Sequence, residues 1–202
     1  MSEDRLWGPL PPQAVHLCID MQNLFSAGSP WETPWMDRVV PFIEQLVGSR
    51  PQQTIFTRFL PPRRPEDRPG TWQRLYRRWP QVTREHADPR LFELLPALAR
   101  FAPPAQVLDK GFYSPFFRSP LIEMLAARRA DTLIISGAET DICVMAAVID
   151  AIDHGFRTVI VEDAICSSSD GTHDALLKLY RERFSNQIEL SDTQNILANW
   201  MH

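Results

Sequence analysis

Three residues in this 202-residue chain have side chains that together could perform nucleophilic chemistry: a thiol, a carboxylate and an ammonium group. Cys143 lies about one turn into a predicted helix, where unpaired N–H groups and the helix dipole are expected to lower its pKa from about 8.5 toward neutrality. The same N–H groups could stabilise the oxyanion of a tetrahedral intermediate. Asp20 and Lys110 end two predicted strands. The pattern predicts a cysteine nucleophile assisted by a carboxylate and a lysine.

Each of these side chains also has an ordinary structural interpretation. Cys143 could be a small buried apolar residue, Asp20 a cap or turn carboxylate, and Lys110 a solvated lysine. The expected convergence of the three side chains favours the catalytic interpretation over the structural ones, because reactive groups collect at the carboxyl ends of parallel strands. The other two cysteines, Cys18 and Cys166, are predicted to be structural. Three cysteines without CxxC spacing predict neither a disulfide framework nor a metal site.

Alternating strand and helix patterns predict how these residues are positioned. Strands are predicted at residues 15–20, 54–59, 106–110, 131–137, 157–163 and 187–190. Helices are predicted at residues 35–48, 91–101, 119–129, 142–154, 172–184 and 193–200. This order predicts one α/β domain over residues 1–202, a Rossmann-like three-layer fold in which helices cover both faces of a parallel sheet.

Residues 61–89 form a proline- and arginine-rich excursion within that domain. A connection of this length is usually functional or partly ordered. An arginine between Arg58 and Arg84 could bind a substrate carboxylate bidentately, and Arg58, at a strand end, is the best candidate. Most of the arginines are better interpreted as a solvated loop or a subunit contact. Phe25, Trp79 and Tyr113 are candidate pocket walls, although aromatic residues at these positions could equally belong to the core.

Net charge and hydropathy limit the classes of partner that the chain is expected to bind. The net charge is −4, whereas nucleic acids and anionic membranes select for a strong basic excess. No apolar run approaches the roughly 20 residues that span a bilayer. The polar, proline-rich residues 1–12 are unlike a signal peptide. The expectation is a cytoplasmic protein with a small-molecule substrate and without nucleic-acid or membrane partners.

Three segments carry a family resemblance: residues 19–25, 109–116 and 136–144. They resemble the isochorismatase-like cysteine hydrolases, which include nicotinamidases, N-carbamoylsarcosine amidohydrolases and ureidoacrylate-type amidohydrolases. The likeness extends over about residues 14–185, and the order Asp, Lys, then Gly-x-x-Thr-x-x-Cys-Val is a specific signal.

The resemblance implies a role for each of these residues. It implies Asp20 as general base, Lys110 as its electrostatic partner and Cys143 as nucleophile. It also implies a cis peptide bond between Ala138 and Glu139, with the backbone N–H groups of Glu139 and Cys143 forming an oxyanion hole. Members of this family commonly form dimers or tetramers, so a homo-oligomer is expected.

Comparison with two subgroups of the family limits the reactions that are expected of this chain. Nicotinamidases place an Asp-x-His pair after the second strand to bind a metal, whereas residues 57–59 here are Thr-Arg-Phe. His86 is the only histidine between Asp20 and Lys110, and one histidine cannot form a metal site. No metal and no cofactor are therefore predicted. Members that hydrolyse the vinyl ether of isochorismate lack the nucleophilic cysteine, so Cys143 disfavours that reaction.

The resulting prediction is a cysteine-dependent amidohydrolase that cleaves the C–N bond of a small amide, ureido or carbamoyl compound. A covalent acyl intermediate on Cys143 is part of this prediction. Alternatives are a vinyl-ether hydrolase of the isochorismatase type, a thiol redox or sensing protein, and a catalytically idle binding module on the same fold.

Overall fold

A computed structural model describes residues 6–201, and residues 1–5 and 202 lie outside the described part. The prediction that residues 1–12 are not a signal peptide falls partly on these undescribed residues. Within residues 6–201, six strands form one sheet in which every neighbouring pair is parallel. The strands are β1 Val15–Ile19, β2 Thr54–Phe59, β3 Gln106–Lys110, β4 Thr132–Ala138, β5 Arg157–Cys166 and β6 Ile188–Ser191. The predicted α/β fold class is confirmed.

In the described part of the chain, seven α-helices connect and cover the strands. They are α1 Met36–Ser49, α2 Thr71–Arg78, α3 Pro96–Ala99, α4 Leu121–Ala127, α5 Met145–Asp153, α6 Asp170–Arg183 and α7 Thr193–Asn199. Apolar residues of α1 and α7 pack in one core layer, and those of α4, α5 and α6 pack in the other. Strand β1 supplies both layers alternately, with Cys18 on one side and Leu17 and Ile19 on the other. Among residues 6–201, no helix is both long and apolar enough to cross a membrane.

The strand order β3-β2-β1-β4-β5-β6 determines where a site can form. The chain builds outward from β1 through β2 to β3 and then returns to the other side of β1 to place β4. Loops after β1 and β4 therefore leave the sheet in opposite directions and open a crevice at its carboxyl edge. Asp20 follows β1, and the segment that carries Cys143 follows β4.

The predicted helix over residues 91–101 is wrong. The segment forms a short 3-10 helix, Pro89–Phe92, and the four-residue α3. Pro96 lies at the start of α3 and holds the preceding Leu95 in an extended conformation, with ψ of 137°. A residue before proline avoids the α region, so a continuous helix cannot pass this point.

The excursion at residues 61–89 is folded rather than a solvated loop. It contains α2, which the sequence pattern did not predict, and two 3-10 helices, Pro65–Asp67 and Pro80–Val82. Tyr76 of α2 is fully buried, and its ring stacks on that of Trp72 at a centroid distance of 6.1 Å. Aromatic packing therefore anchors the excursion to the domain.

His16 makes the stability of the sheet dependent on pH. Its ring is fully buried in β1, with Nε2 at 2.8 Å from Ser136 Oγ on β4 and Nδ1 at 3.3 Å from Thr54 Oγ1 on β2. Burial lowers the pKa of His16 to about 3. The histidine is therefore neutral in the folded protein at pH values where the unfolded chain already binds a proton.

We expect this histidine to lower stability as pH falls below its unfolded pKa of about 6.5. Between pH 7 and pH 4.5 it should cost about 2–3 kcal/mol of unfolding free energy, because only the unfolded state takes up the proton. Urea unfolding of the wild type and His16→Gln at both pH values measures this. The wild type should lose more stability than the variant, and parallel losses in the two proteins would contradict the assignment.

Candidate active site

A buried ion pair joins the ends of β1 and β3. Lys110 Nζ lies 2.7 Å from Asp20 Oδ2, and both side chains are fully buried. Strand β2 separates β1 from β3, so the lysine side chain must cross it. It does so over Phe59, whose ring centroid lies 5.0 Å from Nζ. The length of the lysine side chain therefore brings two residues from non-adjacent strands together.

Hydrogen bonds hold both partners of this pair. Thr57 Oγ1 donates to Asp20 Oδ1 at 2.5 Å and accepts from the Asp20 N–H at 3.1 Å. Lys110 Nζ donates to the carbonyl oxygens of Phe112 at 3.0 Å and Tyr113 at 2.8 Å. Burial lowers the pKa of Lys110, but attraction to Asp20 and Cys143 outweighs burial, and the pKa is raised overall. The lysine is therefore protonated at neutral pH.

The third predicted residue joins this pair. Cys143 lies in a π-helical turn, Thr140–Val144, that leads from β4 into α5. Its thiol is almost fully buried, and the side chains of both Asp20 and Lys110 lie close enough to shift its pKa. The structure thus brings a thiol, a carboxylate and an ammonium group from three separate parts of the chain into mutual contact.

The expectation that the pKa of Cys143 is lowered toward neutrality is wrong. Burial raises the pKa of the thiol well above its ordinary value; Lys110 opposes this rise, and the negative charge of Asp20 adds to it. Desolvation of the thiolate thus outweighs the favourable lysine. The resting cysteine is a thiol, so its use as a nucleophile requires a base within reach.

The turn before Cys143 has a distinctive backbone. The peptide bond between Ala138 and Glu139 is cis. The carbonyl oxygen of Glu139 accepts hydrogen bonds from the N–H groups of Ile142 and Val144, both at 3.1 Å. The two donors are the residues immediately before and after Cys143. Their hydrogen bonds therefore fix the start of the helical segment that carries the cysteine.

Gly137 allows β4 to approach β1 closely beside the ion pair. Its φ is +110°, which L side chains rarely adopt. A Cβ atom at this position would lie 2.1 Å from the carbonyl oxygen of Ile19, the residue before Asp20. Backbone cannot move aside as the tip of a flexible side chain can. A glycine is therefore required here to bring the ends of the two central strands together.

We expect Gly137→Ala to lower the unfolding free energy by about 3 kcal/mol or more, because overpacking and an unfavourable φ act together. Gly171→Ala is the matched control, since nothing lies within 4 Å of a Cβ added there. The control should change stability by less than about 1 kcal/mol. Urea unfolding measures both variants; equal stability of the two would show that the close approach of β4 to β1 does not require glycine.

A cavity of about 340 Å³ lies against the thiol. Its lining consists of Phe25, Pro30, Trp31, Glu32, Phe59, Leu75, Trp79, Tyr113, Glu139, Ile142, Cys143 and Ser168. The candidate wall residues Phe25, Trp79 and Tyr113 are thus all part of it. Its volume is at the lower end of the range of roughly 300–1,000 Å³ for small-molecule pockets.

Arg58 is not among the lining residues. Its guanidinium instead pairs with Asp109 at 2.7 Å and with Glu93 at 2.8 Å. Arg58 and Asp109 are register partners on the adjacent strands β2 and β3, which explains the pairing. The Arg58 guanidinium was the best candidate to bind a substrate carboxylate, but it is already paired with the carboxylates of Asp109 and Glu93.

Several walls of the cavity were missed from the sequence. Trp31 contacts the rings of Phe25, Phe59, Tyr76 and Trp79 at centroid distances of 6.2 to 6.5 Å. It lies in a segment between β1 and α1 that is outside every regular strand and α-helix. The density of aromatic residues in that segment was the available signal, because a solvated loop would carry few of them.

The remaining histidine and cysteine predictions concern residues outside this site. His86 is exposed, with Nδ1 at 3.0 Å from Thr83 Oγ1. Within residues 6–201, no group of three or more His, Cys, Asp or Glu residues is arranged to hold a metal ion. Cys18 and Cys166 are fully buried, and burial raises the pKa of both thiols, that of Cys18 to about 12. All three cysteines are free.

Comparison with known proteins decides the family. Residues 14–192 match the family model of the isochorismatase domain. This chain belongs to the isochorismatase family. The membership predicted from the sequence motifs is therefore confirmed. The ion pair, the cysteine and the cavity all lie within the matched residues.

The alignments with curated relatives of this isochorismatase family member cover only part of each relative. It is 30% identical to maleamate amidohydrolase of Pseudomonas putida over 93 residues, which cover 46% of this chain and 44% of the relative. It is 30% identical to enterobactin synthase component B of Escherichia coli over 178 residues, covering 85% of this chain and 59% of the relative. The chain thus spans about half the length of the curated relatives it matches.

Solved structures show the same fold. A cysteine hydrolase from Pseudomonas syringae aligns with a TM-score of 0.82 at 22% identity and covers 98% of each chain. N-carbamoylsarcosine amidase from Thermoplasma acidophilum aligns with a TM-score of 0.72 at 20% identity, covering 91% of this chain and 96% of that one. At these identities the likeness establishes the fold of the family member and not its substrate.

Proposed function

We propose that this isochorismatase family member is a cysteine-dependent amidohydrolase that cleaves the C–N bond of a small amide, ureido or carbamoyl compound. The observation that carries the proposal is the contact of the Cys143 thiol with both Asp20 and Lys110 at the wall of a cavity. A buried thiol that is protonated at rest needs a base, and Asp20 is the carboxylate in contact with it.

In the first half of the reaction, Cys143 Sγ attacks the carbonyl carbon while Asp20 accepts the thiol proton. The new S–C bond forms as the π electrons of the carbonyl move to its oxygen. That oxyanion accepts hydrogen bonds from the backbone N–H groups of Glu139 and Cys143. Collapse of the intermediate breaks the C–N bond, and Asp20 returns the proton to the departing nitrogen.

In the second half, water replaces the amine. Asp20 removes a proton from water as its oxygen attacks the thioester or thiocarbamate carbon. Asp20 then returns this proton to sulfur as the S–C bond breaks and the carbonyl re-forms, so the acid is released and the thiol is restored. Lys110 remains protonated throughout, and its positive charge lies beside the buried side chain of Asp20.

The choice of amides over other substrates rests on two supports. A nucleophilic cysteine suits acyl transfer, whereas vinyl-ether hydrolysis within the resembled family proceeds without one. Relatives with amidase names include maleamate amidohydrolase and N-carbamoylsarcosine amidase. A thiol-sensing role would not require the ion pair of Asp20 and Lys110.

The test is a screen of ureido acids, carbamoyl amino acids and simple amides for ammonia or amine release. The wild type is compared with Cys143→Ala and with Cys166→Ala, which removes a buried thiol that is outside the cavity lining. We expect at least one compound to be consumed by the wild type and Cys166→Ala but not by Cys143→Ala. Equal turnover by all three proteins for every compound would refute the nucleophile.

A further inference from the structure

The walls of the cavity combine aromatic rings with negative charge. Five aromatic side chains line it, those of Phe25, Trp31, Phe59, Trp79 and Tyr113. Two glutamates, Glu32 and Glu139, line it as well. Within the described residues, the lining contains no arginine, lysine or histidine. Because the cavity adjoins a buried nucleophile, the sign of this charge bears directly on what the site accepts.

Each of the two carboxylates keeps one oxygen available. Glu139 Oε1 accepts hydrogen bonds from Thr33 Oγ1 at 3.3 Å and from the Ser168 N–H at 3.0 Å. Glu32 Oε2 accepts from the Gly28 N–H at 2.9 Å. The second oxygen of each carboxylate has no hydrogen-bond partner among residues 6–201. Glu139 is half-buried and Glu32 is exposed, and each has acceptor capacity to spare.

The nearest cations do not neutralise this charge from within the cavity. Lys110 lies outside the lining, and its ammonium group pairs with Asp20 and donates to two backbone carbonyls. Arg68 stacks its guanidinium over the Phe112 ring at 4.9 Å and donates to the Leu60 carbonyl at 3.4 Å, outside the lining. A ligand in the cavity therefore meets carboxylate charge without a matching basic side chain in the walls.

We propose that the substrate's acyl group carries a positive charge, an ammonium or similar cation, held between Glu32, Glu139 and the aromatic rings. Aromatic faces attract cations, and carboxylates in a partly dehydrated cavity add direct charge attraction. A substrate carboxylate in the same place would meet like charge. This inference rests on the proposed function and gives it a substrate class.

Three amides with the same chain of methylenes separate the possible charge preferences. They are 6-aminohexanamide, heptanamide and the monoamide of pimelic acid, which are cationic, neutral and anionic at pH 7. We expect kcat/KM, measured by ammonia release, to be about tenfold or more higher for the cation than for the neutral amide. The anion should be the poorest substrate. The advantage of the cation should shrink as salt is added, since screening weakens charge attraction.

Variants assign the preference to particular residues. Glu32→Gln and Glu139→Gln should each lower the cation-to-neutral ratio of kcat/KM by about three- to tenfold. Glu182→Gln is the matched control, because this glutamate is exposed on α6 and pairs with Lys178 at 3.8 Å. The control should leave the ratio unchanged. A ratio that neither cavity variant alters would overturn the assignment to these glutamates.

Binding separates this inference from the proposed chemistry. The affinity of Cys143→Ala for the same three amides, measured by calorimetry, reports charge preference without turnover. If the cation binds most tightly, but the wild type consumes neither these amides nor any compound of the wider screen, the preference for cations holds and the amidase proposal fails. If the anion binds as tightly as the cation, or no amide is preferred, the inference fails whatever the turnover.

Discussion

Cys143→Ala is expected to lower kcat for amide hydrolysis by at least about 10³–10⁴-fold, because it removes the sulfur that forms the acyl intermediate. The thiol is buried beside Asp20 and Lys110, so alanine removes one reactive atom from an otherwise complete site. Steady-state ammonia release measures the loss. The unfolding free energy of the variant, measured in parallel, shows whether the fold is retained.

Cys166→Ala is the control for this loss. It removes a second buried thiol, at the end of β5, and should keep kcat within a few-fold of the wild type. Residual activity of Cys143→Ala above a tenth of the wild-type value would contradict the nucleophilic role, because deletion of a true nucleophile leaves only binding and oxyanion stabilisation.

Lys110→Met should destabilise the protein by about 3–5 kcal/mol and also abolish turnover, since it leaves the buried carboxylate of Asp20 without its partner. The distance of 2.7 Å and the complete burial of both side chains are the reason for the size of this effect. Lys178→Met, which breaks an exposed pair with Glu182, should change stability by less than about 1 kcal/mol. Urea unfolding at pH 7 compares the two.

A double variant tests the physical reason for that loss. Combining Lys110→Met with Asp20→Asn removes both charges, so no unpaired ion remains in the core. We expect the double variant to be more stable than Lys110→Met alone, while activity stays absent because the base has gone. A double variant whose loss equals the sum of the two single losses would contradict a coupled ion pair.

The layout of the sheet was largely predictable from the sequence. The predicted limits of β2 and β3 match the observed strands, because short apolar runs there end at clear breakers. Asp20, Lys110 and Cys143 could be selected because all three follow or end strands of one parallel sheet. Local pattern is sufficient for such residues, since their placement depends on where an element ends.

Features that depend on contacts distant in sequence were not predictable in the same way. The pairing of Arg58 with Asp109 depends on the register between β2 and β3, which local pattern does not reveal. The pKa of Cys143 depends on how completely the folded chain excludes water, and burial reversed the expected direction. The carboxylates of Glu32 and Glu139 become neighbours of the cavity only when the segment after β1 packs beside the turn after β4.

The central claim is that an acyl group resides on Cys143 during turnover. Hydrolysis of a primary amide and an N-methyl amide with the same acyl group, each in the presence of hydroxylamine, tests it most directly. The account predicts that the wild type forms acyl hydroxamate and free acid in the same ratio from both amides, because both pass through one thioester. A ratio that depends on the leaving amine, or free acid formed without any hydroxamate, would contradict it.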